Sequence, residues 1–216
     1  AGKLTIGQVS VTKADGVTPL AGLEFGVTDL ALRFNNTGGS VSTSLGVVSL
    51  DYTDSAQFNF MAISGALDLN LNNFITLSGR FGFEKVGSGP TAEIKVAAQN
   101  VTSTMSIGTF SVGLTGGSLA LLLKPNGTKA LDASGGLTLS GGGFLNATAT
   151  SVRVQFNNTG INFGASPQNI TVNDINGGNL TMGPGTLAAP VLRLGVTGLQ
   201  VSVGGAFTIG GNFEFE

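Results

Sequence analysis

Residues 150–160 read TSVRVQFNNTG, and residues 28–38 read TDLALRFNNTG. Six of the eleven positions are identical at an offset of 122. In both stretches apolar residues alternate with polar ones: Leu30, Leu32 and Phe34 in one, Val152, Val154 and Phe156 in the other. Period-two alternation is the signature of a β-strand with one apolar face. Asn-Asn-Thr-Gly then closes each run with turn chemistry, since Asn and Gly tolerate positive φ. Gly38 and Gly160 are therefore expected to share one backbone conformation.

The same alternation extends outward along the chain. It recurs in LTIGQVSV (Leu4 to Val11), LDLNLNNF (Leu67 to Phe74), GRFGFE (Gly79 to Glu84), LTLSG (Leu137 to Gly141) and NFEFE (Asn212 to Glu216). No segment carries a sustained 3.6-residue pattern, and 35 Gly in 216 residues disfavour helix. Asp15-Gly16 and Asn126-Gly127 read as two-residue hairpin turns. If alternation sets burial, Leu30, Leu32, Phe34, Phe81, Phe83, Val154, Phe156, Phe213 and Phe215 face inward. Asp68, Asn70, Arg153 and Gln155 then face out.

A second internal match sets residues 65–84 against 197–216, at an offset of 132, with Leu67/Leu199, Gly79/Gly211, Phe81/Phe213, Phe83/Phe215 and Glu84/Glu216 identical. A weaker third match sets Val11 to Gly16 against Leu122 to Gly127. The order is kept, which points to two related units. The expected fold is all-β: a mainly antiparallel tandem-repeat architecture, built either as stacked β-sandwich units or as a β-solenoid-like rod. The first unit spans 1–110 and the second, incomplete, 111–216. A chain that starts at Ala1 is expected to be cut from something longer.

Composition excludes several functions. The chain has no Cys and no His, so disulfides, thiol nucleophiles, Ser-His-Asp triads and ordinary zinc sites drop out. Charged residues are 10% and the net charge is −2, which gives no phosphate-binding footprint and no nucleic-acid partner. No apolar run reaches the length of a membrane helix. Without Trp and with a single Tyr, the aromatic girdles of an outer-membrane barrel are also missing.

Candidate sites are few. Asp51 and Asp54 are the one close acid pair away from Glu214/Glu216, and a polar loop or strand edge explains both pairs. The weak calcium candidate is Asp174 with Asn173 and Asn176, in a segment that lacks alternating acids. Asn-x-Ser/Thr occurs at Asn35, Asn100, Asn126, Asn146, Asn157, Asn169 and Asn179, where turn preference competes with glycosylation. SGGGF (Ser140 to Phe144) has no helix after it to make a phosphate loop. No cofactor follows from any motif.

The run GSLALLLKPNGTKALDASGGLTLSGG (117–142), followed by SVRVQFNNTG and a G-x-F-x-F-E strand, resembles repeat modules of very long bacterial tandem-repeat proteins. That resemblance implies an adhesin-like, secreted or surface-displayed, β-rich chain, and it carries no catalytic residue. The expected function is a non-enzymatic extracellular structural module, part of a stalk, filament or surface layer. The alternative is a glycan- or protein-binding adhesin module. Its expected partners are copies of itself or adjacent repeats, joined by strand pairing. The edge residues for that pairing are Phe213 and Phe215 at one end and Leu4 and Ile6 at the other.

Overall fold

The computed structural model describes residues 1–10, 22–163, 170–173, 179–182 and 190–216. Among these described residues fourteen strands run in chain order: β1 (Gly2–Ser10), β2 (Leu23–Asn35), β3 (Val41–Leu45), β4 (Val48–Tyr52), β5 (Phe60–Leu71), β6 (Ile75–Val86), β7 (Glu93–Ile107), β8 (Phe110–Leu123), β9 (Lys129–Gly141), β10 (Leu145–Asn157), β11 (Ile170–Asn173), β12 (Asn179–Met182), β13 (Val191–Val203) and β14 (Phe207–Phe215). Ten of them form one antiparallel sheet in the order β1-β2-β5-β6-β7-β8-β9-β10-β13-β14. The sheet is a meander, and β1 and β14 are its two edges, so it is not a closed barrel. β3–β4 and β11–β12 are separate hairpins inserted in the connections that follow β2 and β10. The position between 110 and 111 lies at the start of β8, which is paired to both β7 and β9.

The two ends of the sheet differ. At one end the turns after β5, β7, β9 and β13 are tight, and each is followed by a Phe: Phe74, Phe110, Phe144 and Phe207. Asn72 (φ 52°) and Asn73 (φ 56°) form a turn of type I′ geometry, with the Phe74 N–H donating to the Leu71 carbonyl at 2.8 Å. Sequence alternation alone ran through this Asn pair as strand. At the other end, Asn126-Gly127 is not a two-residue turn. Pro125, Asn126 and Gly127 form a three-residue loop, in which the Gly127 N–H bonds the Lys124 carbonyl at 3.0 Å and Gly127 alone has positive φ, 82°. Pro125 presets a type I turn and Gly127 supplies the left-handed residue after it.

The two Asn-Asn-Thr-Gly runs fold alike. Asn35 Nδ2 donates to the Gly39 carbonyl at 2.9 Å, while its Oδ1 accepts the Thr37 N–H at 3.1 Å and the Thr37 hydroxyl at 2.8 Å. Asn157 Nδ2 donates to the Ile161 carbonyl at 2.8 Å, and its Oδ1 accepts the Thr159 N–H at 3.0 Å and the Thr159 hydroxyl at 2.8 Å. Gly38 and Gly160 have φ of 74° and 76°. Both Asn side chains are buried, so these two glycosylation-like triplets are turn locks whose amides are already bonded. Each lock launches the segment that covers one patch of the sheet. Leu50 and Tyr52 of β4 pack on Phe60 and Ala62, and Phe163 packs on Ala120, Leu122 and Ala130. The Tyr52 hydroxyl donates to the Gly2 carbonyl at 2.8 Å, tying the β3–β4 hairpin to the edge strand.

Burial overturns part of the sequence expectation: Asp68 is exposed as expected, and Leu30, Leu32, Phe81, Phe83 and Phe156 are half-buried. Phe34, Val154, Phe213 and Phe215 are exposed, while Gln155 is buried and Arg153 half-buried. The alternation itself is right. The covering segments lie on the side of the small and polar residues, and among the described residues no second layer covers the apolar side.

Two measurements test these locks. Asn35→Ala or Asn157→Ala removes three hydrogen bonds made by a buried amide and should each cost about 2 kcal/mol in urea unfolding, against under about 0.5 for exposed Asn36→Ala. Burial pushes the Tyr52 phenol above its ordinary value, opposed by the Arg33 charge. The folded state then favours the neutral phenol, so its contribution is complete below pH about 10 and declines as pH rises further. Tyr52→Phe should reduce the loss of stability that sets in above pH about 10.

Candidate functional site

Cross-strand partners share a face, so the ladders assign every strand residue to one of two sides. One row crosses nine strands: Leu4, Leu32, Ile63, Phe83, Val96, Leu121, Leu131, Phe156, Leu192. The adjacent row on the same side holds Phe81, Ala98, Leu119, Ala133, Val154, Leu194 and Phe215. Strand β5 pairs with β6 without a shift from Phe60 to Leu71, so Ile63 and Leu71 point the same way. Toward the short-turn end, that side continues as Leu71, Ile75, Met105, Val112, Leu139, Ala147, Val201 and Ile209.

A line of bulges keeps this face continuous. One extra residue enters β1, β2, β7, β8, β10 and β13 at mid-strand, which restores the side of each apolar set after a shift in sequence parity. Asp29, Asn100, Gly116 and Gly198 take positive φ of 54°, 53°, 57° and 63° there. Beside this line the apolar face holds a groove of about 440 Å³, lined by Phe81, Ala98, Val101, Leu114, Leu119, Ala133, Gly135, Leu137, Val152 and Val154 among others. Its floor is tight: a Cβ on Gly135 would stand 2.7 Å from Leu114 Cδ1.

The opposite face carries the row Thr5, Ala31, Ser64, Gly82, Ala97, Ala120, Asp132, Gln155, Arg193. At its β9–β14 end the charges form a cross-strand network. Asp132 accepts from Arg153 Nε at 2.9 Å and from Gln155 Nε2 at 3.2 Å. Arg193 pairs with Glu214 at 3.1 Å and Glu216 at 2.7 Å. The bond to Asp132 holds the Arg153 guanidinium above its ordinary value. Farther along, Lys95 meets Glu84, its direct cross-strand partner, at 3.3 Å. Acids matched to cations and amides in this way cross-link neighbouring strands.

The acid candidates fall into structural places. Asp54 caps a short 3₁₀ turn by accepting the Ala56 N–H at 2.9 Å, and Asp51 accepts the Thr53 hydroxyl. Asp174 and Asn176 lie outside the described residues, as do Asp15-Gly16 and Val11 to Gly16. Asn173 ends β11, and its side chain is not described. Leu4, Phe213 and Phe215 stand exposed on the two edge strands, with Ile6 half-buried beside Leu4 on the apolar side. Sequence reasoning missed Asp132 with Arg153 as a pair; its signal was the sole acid of one strand and the sole charge of the next.

No family model, curated protein or solved structure matches this chain.

The Asp132–Arg153 pair is open to a direct check. Asp132→Ala should destabilise the fold by about 2 kcal/mol, because the buried Gln155 amide loses an acceptor as well. A double-mutant cycle with Arg153→Ala should assign about 1 kcal/mol to the pair, since Arg153 is partly solvated, and less at high salt.

Proposed function

We propose that this chain is a non-enzymatic structural module, a section of an extended β-sheet that is prolonged by strand pairing at both edges. The carrying observation is the pair of open edges. Among the described residues β1 and β14 each have one paired side, and ten alternating strands leave them running in opposite directions. A β1 from another copy placed against β14 therefore continues the antiparallel alternation. The adjoining rows also match in chemistry: Phe213 and Phe215 on β14, Leu4 and Ile6 on β1. An edge of this kind is a template for strand addition.

Internal recurrence supports a repeat reading of the same sheet. The β5–β6 hairpin pairs Leu67 with Gly79, Leu69 with Leu77 and Leu71 with Ile75. The β13–β14 hairpin pairs Leu199 with Gly211, Val201 with Ile209 and Val203 with Phe207, each 132 residues on. The two Asn locks recur at 122. On this reading the units are lengths of one sheet, and an adjacent repeat or a second copy supplies the next strand. Their setting is extracellular or cell-surface, in a bacterium, in keeping with the lack of Cys and the uncharged Ser, Thr and Asn faces. The alternative of a glycan-binding module draws no support from the single Tyr, since Tyr52 is buried against Phe60.

Edge pairing is open and head-to-tail, so it yields filaments of growing length. Negative-stain microscopy and sedimentation of the parent chain should show elongated assemblies. Phe213→Ser with Phe215→Ser should shorten them while leaving the β circular dichroism intact. A parent chain that never elongates at high concentration sinks the reading.

A further inference from the structure

The apolar face has a second consequence, separate from the edges. Of the large hydrophobic residues that stand exposed among the described residues, all but five lie on this one side. The five are Leu45, Val47 and Val48 on the β3–β4 hairpin and Phe74 and Phe144 at the turns. Ten strands about 4.8 Å apart and about twelve residues long present a face of roughly 1,900 Å². An isolated chain seldom exposes an apolar patch above a few hundred Å². Edge pairing leaves this face open, because it adds strands in the plane of the sheet.

We infer that the apolar face is an interface and that its occupant is the same face of a second copy, two sheets stacked into a sandwich. The area is about twice the roughly 800 Å² per partner of a standard stable interface. The rows from Leu4 to Leu192 and from Leu71 to Ile209 hold no charged side chain. Among the described strand residues the charges on this side are Lys85, partnered with Met61 and Ile94, and Lys129, partnered with Leu123. Both lie at the end away from the tight turns. Stacking about a two-fold axis that crosses the strands turns one copy end for end. Each copy's two Lys residues then lie over the other's charge-free turn end, and like charges stay apart. The inner face is uniformly aliphatic and aromatic, which suits an interface in which each patch meets itself. Inner faces of stacked sheets pack about 10 Å apart with interdigitated side chains.

The test separates face from edge. Ile63→Glu with Val154→Glu places two charges inside the face, on strands distant from both edges. The parent chain should sediment as pairs or as filaments two sheets thick. The double variant should lose the pairing by a factor of at least about 100 in dissociation constant, as two charges buried unpaired require, and should keep single-sheet filaments. Phe213→Ser with Phe215→Ser should do the converse, shortening filaments that remain two sheets thick, so each proposal fails by its own readout. If the Glu variants do not fold, the chain's lack of Cys makes Leu119→Cys a unique label site near the centre of the face. A spin label there should show strong coupling between copies. Absence of that coupling overturns the stack, as does a Glu variant that still pairs. A parent that stays single, or one that leaves its own copies for phosphatidylcholine vesicles, overturns it too, and the vesicle result assigns the face to lipid.

Discussion

The extra residue at mid-strand is the constraint on which the rest of the structure depends. Without it in β1, β2, β7, β8, β10 and β13, each of those strands would turn part of its apolar residues to the wrong side. A one-residue slip moves every side chain to the opposite face. The bulges fall side by side across the sheet, so the correction is collective. Positive φ at Asp29, Asn100, Gly116 and Gly198 is its backbone expression. Asp and Asn tolerate that region better than other residues with a side chain, and Gly adopts it freely.

Given a face that is kept whole, the two sides of the sheet take different tasks. One side carries Ala31, Ala97 and Ala120, small enough for segments to lie close above them, and a few polar residues that are bonded across strands. Asp132, Arg153 and Gln155 are tolerable at such a site because each satisfies another. The other side is large and apolar, and the described residues leave it uncovered. The Asn35 and Asn157 locks decide which side is covered, since the chain leaves β2 and β10 from these turns and folds back over the small-residue face.

Assembly follows from the same arrangement. An apolar face and two backbone edges that the described residues leave open are both unstable as free surfaces, for different reasons. The face loses from its contact with water, in proportion to area. The edges present a row of unpaired peptide groups to any strand of matching register. Both demands are met by more of the same chain, in plane through β1 and β14 and out of plane through the Leu-rich rows.

Strand content, antiparallel order and the Asn-Asn-Thr-Gly turns were legible because they are local. Alternation, Gly and Asn placement, and short connections act within a few residues, and the duplicated FNNTG runs adopt the same hydrogen bonds. The parity changes were also present as text: Phe25 and Val27 are followed by Leu30 and Leu32, with a step of three where two is the rule. Alternation could say that Leu32 and Arg33 lie on opposite sides. It could not say which side would be covered, because that depends on where β3–β4 and Phe163 come to rest, far along the chain. Nor could it join Asp132 to Arg153 or Glu84 to Lys95, since cross-strand partners are set by register. The sequence alone determined an all-β chain with two-sided strands. The tertiary structure decided that these strands form one open sheet whose small-residue side is covered in two patches and whose apolar side the described residues leave uncovered, because burial is a property of what packs above a residue.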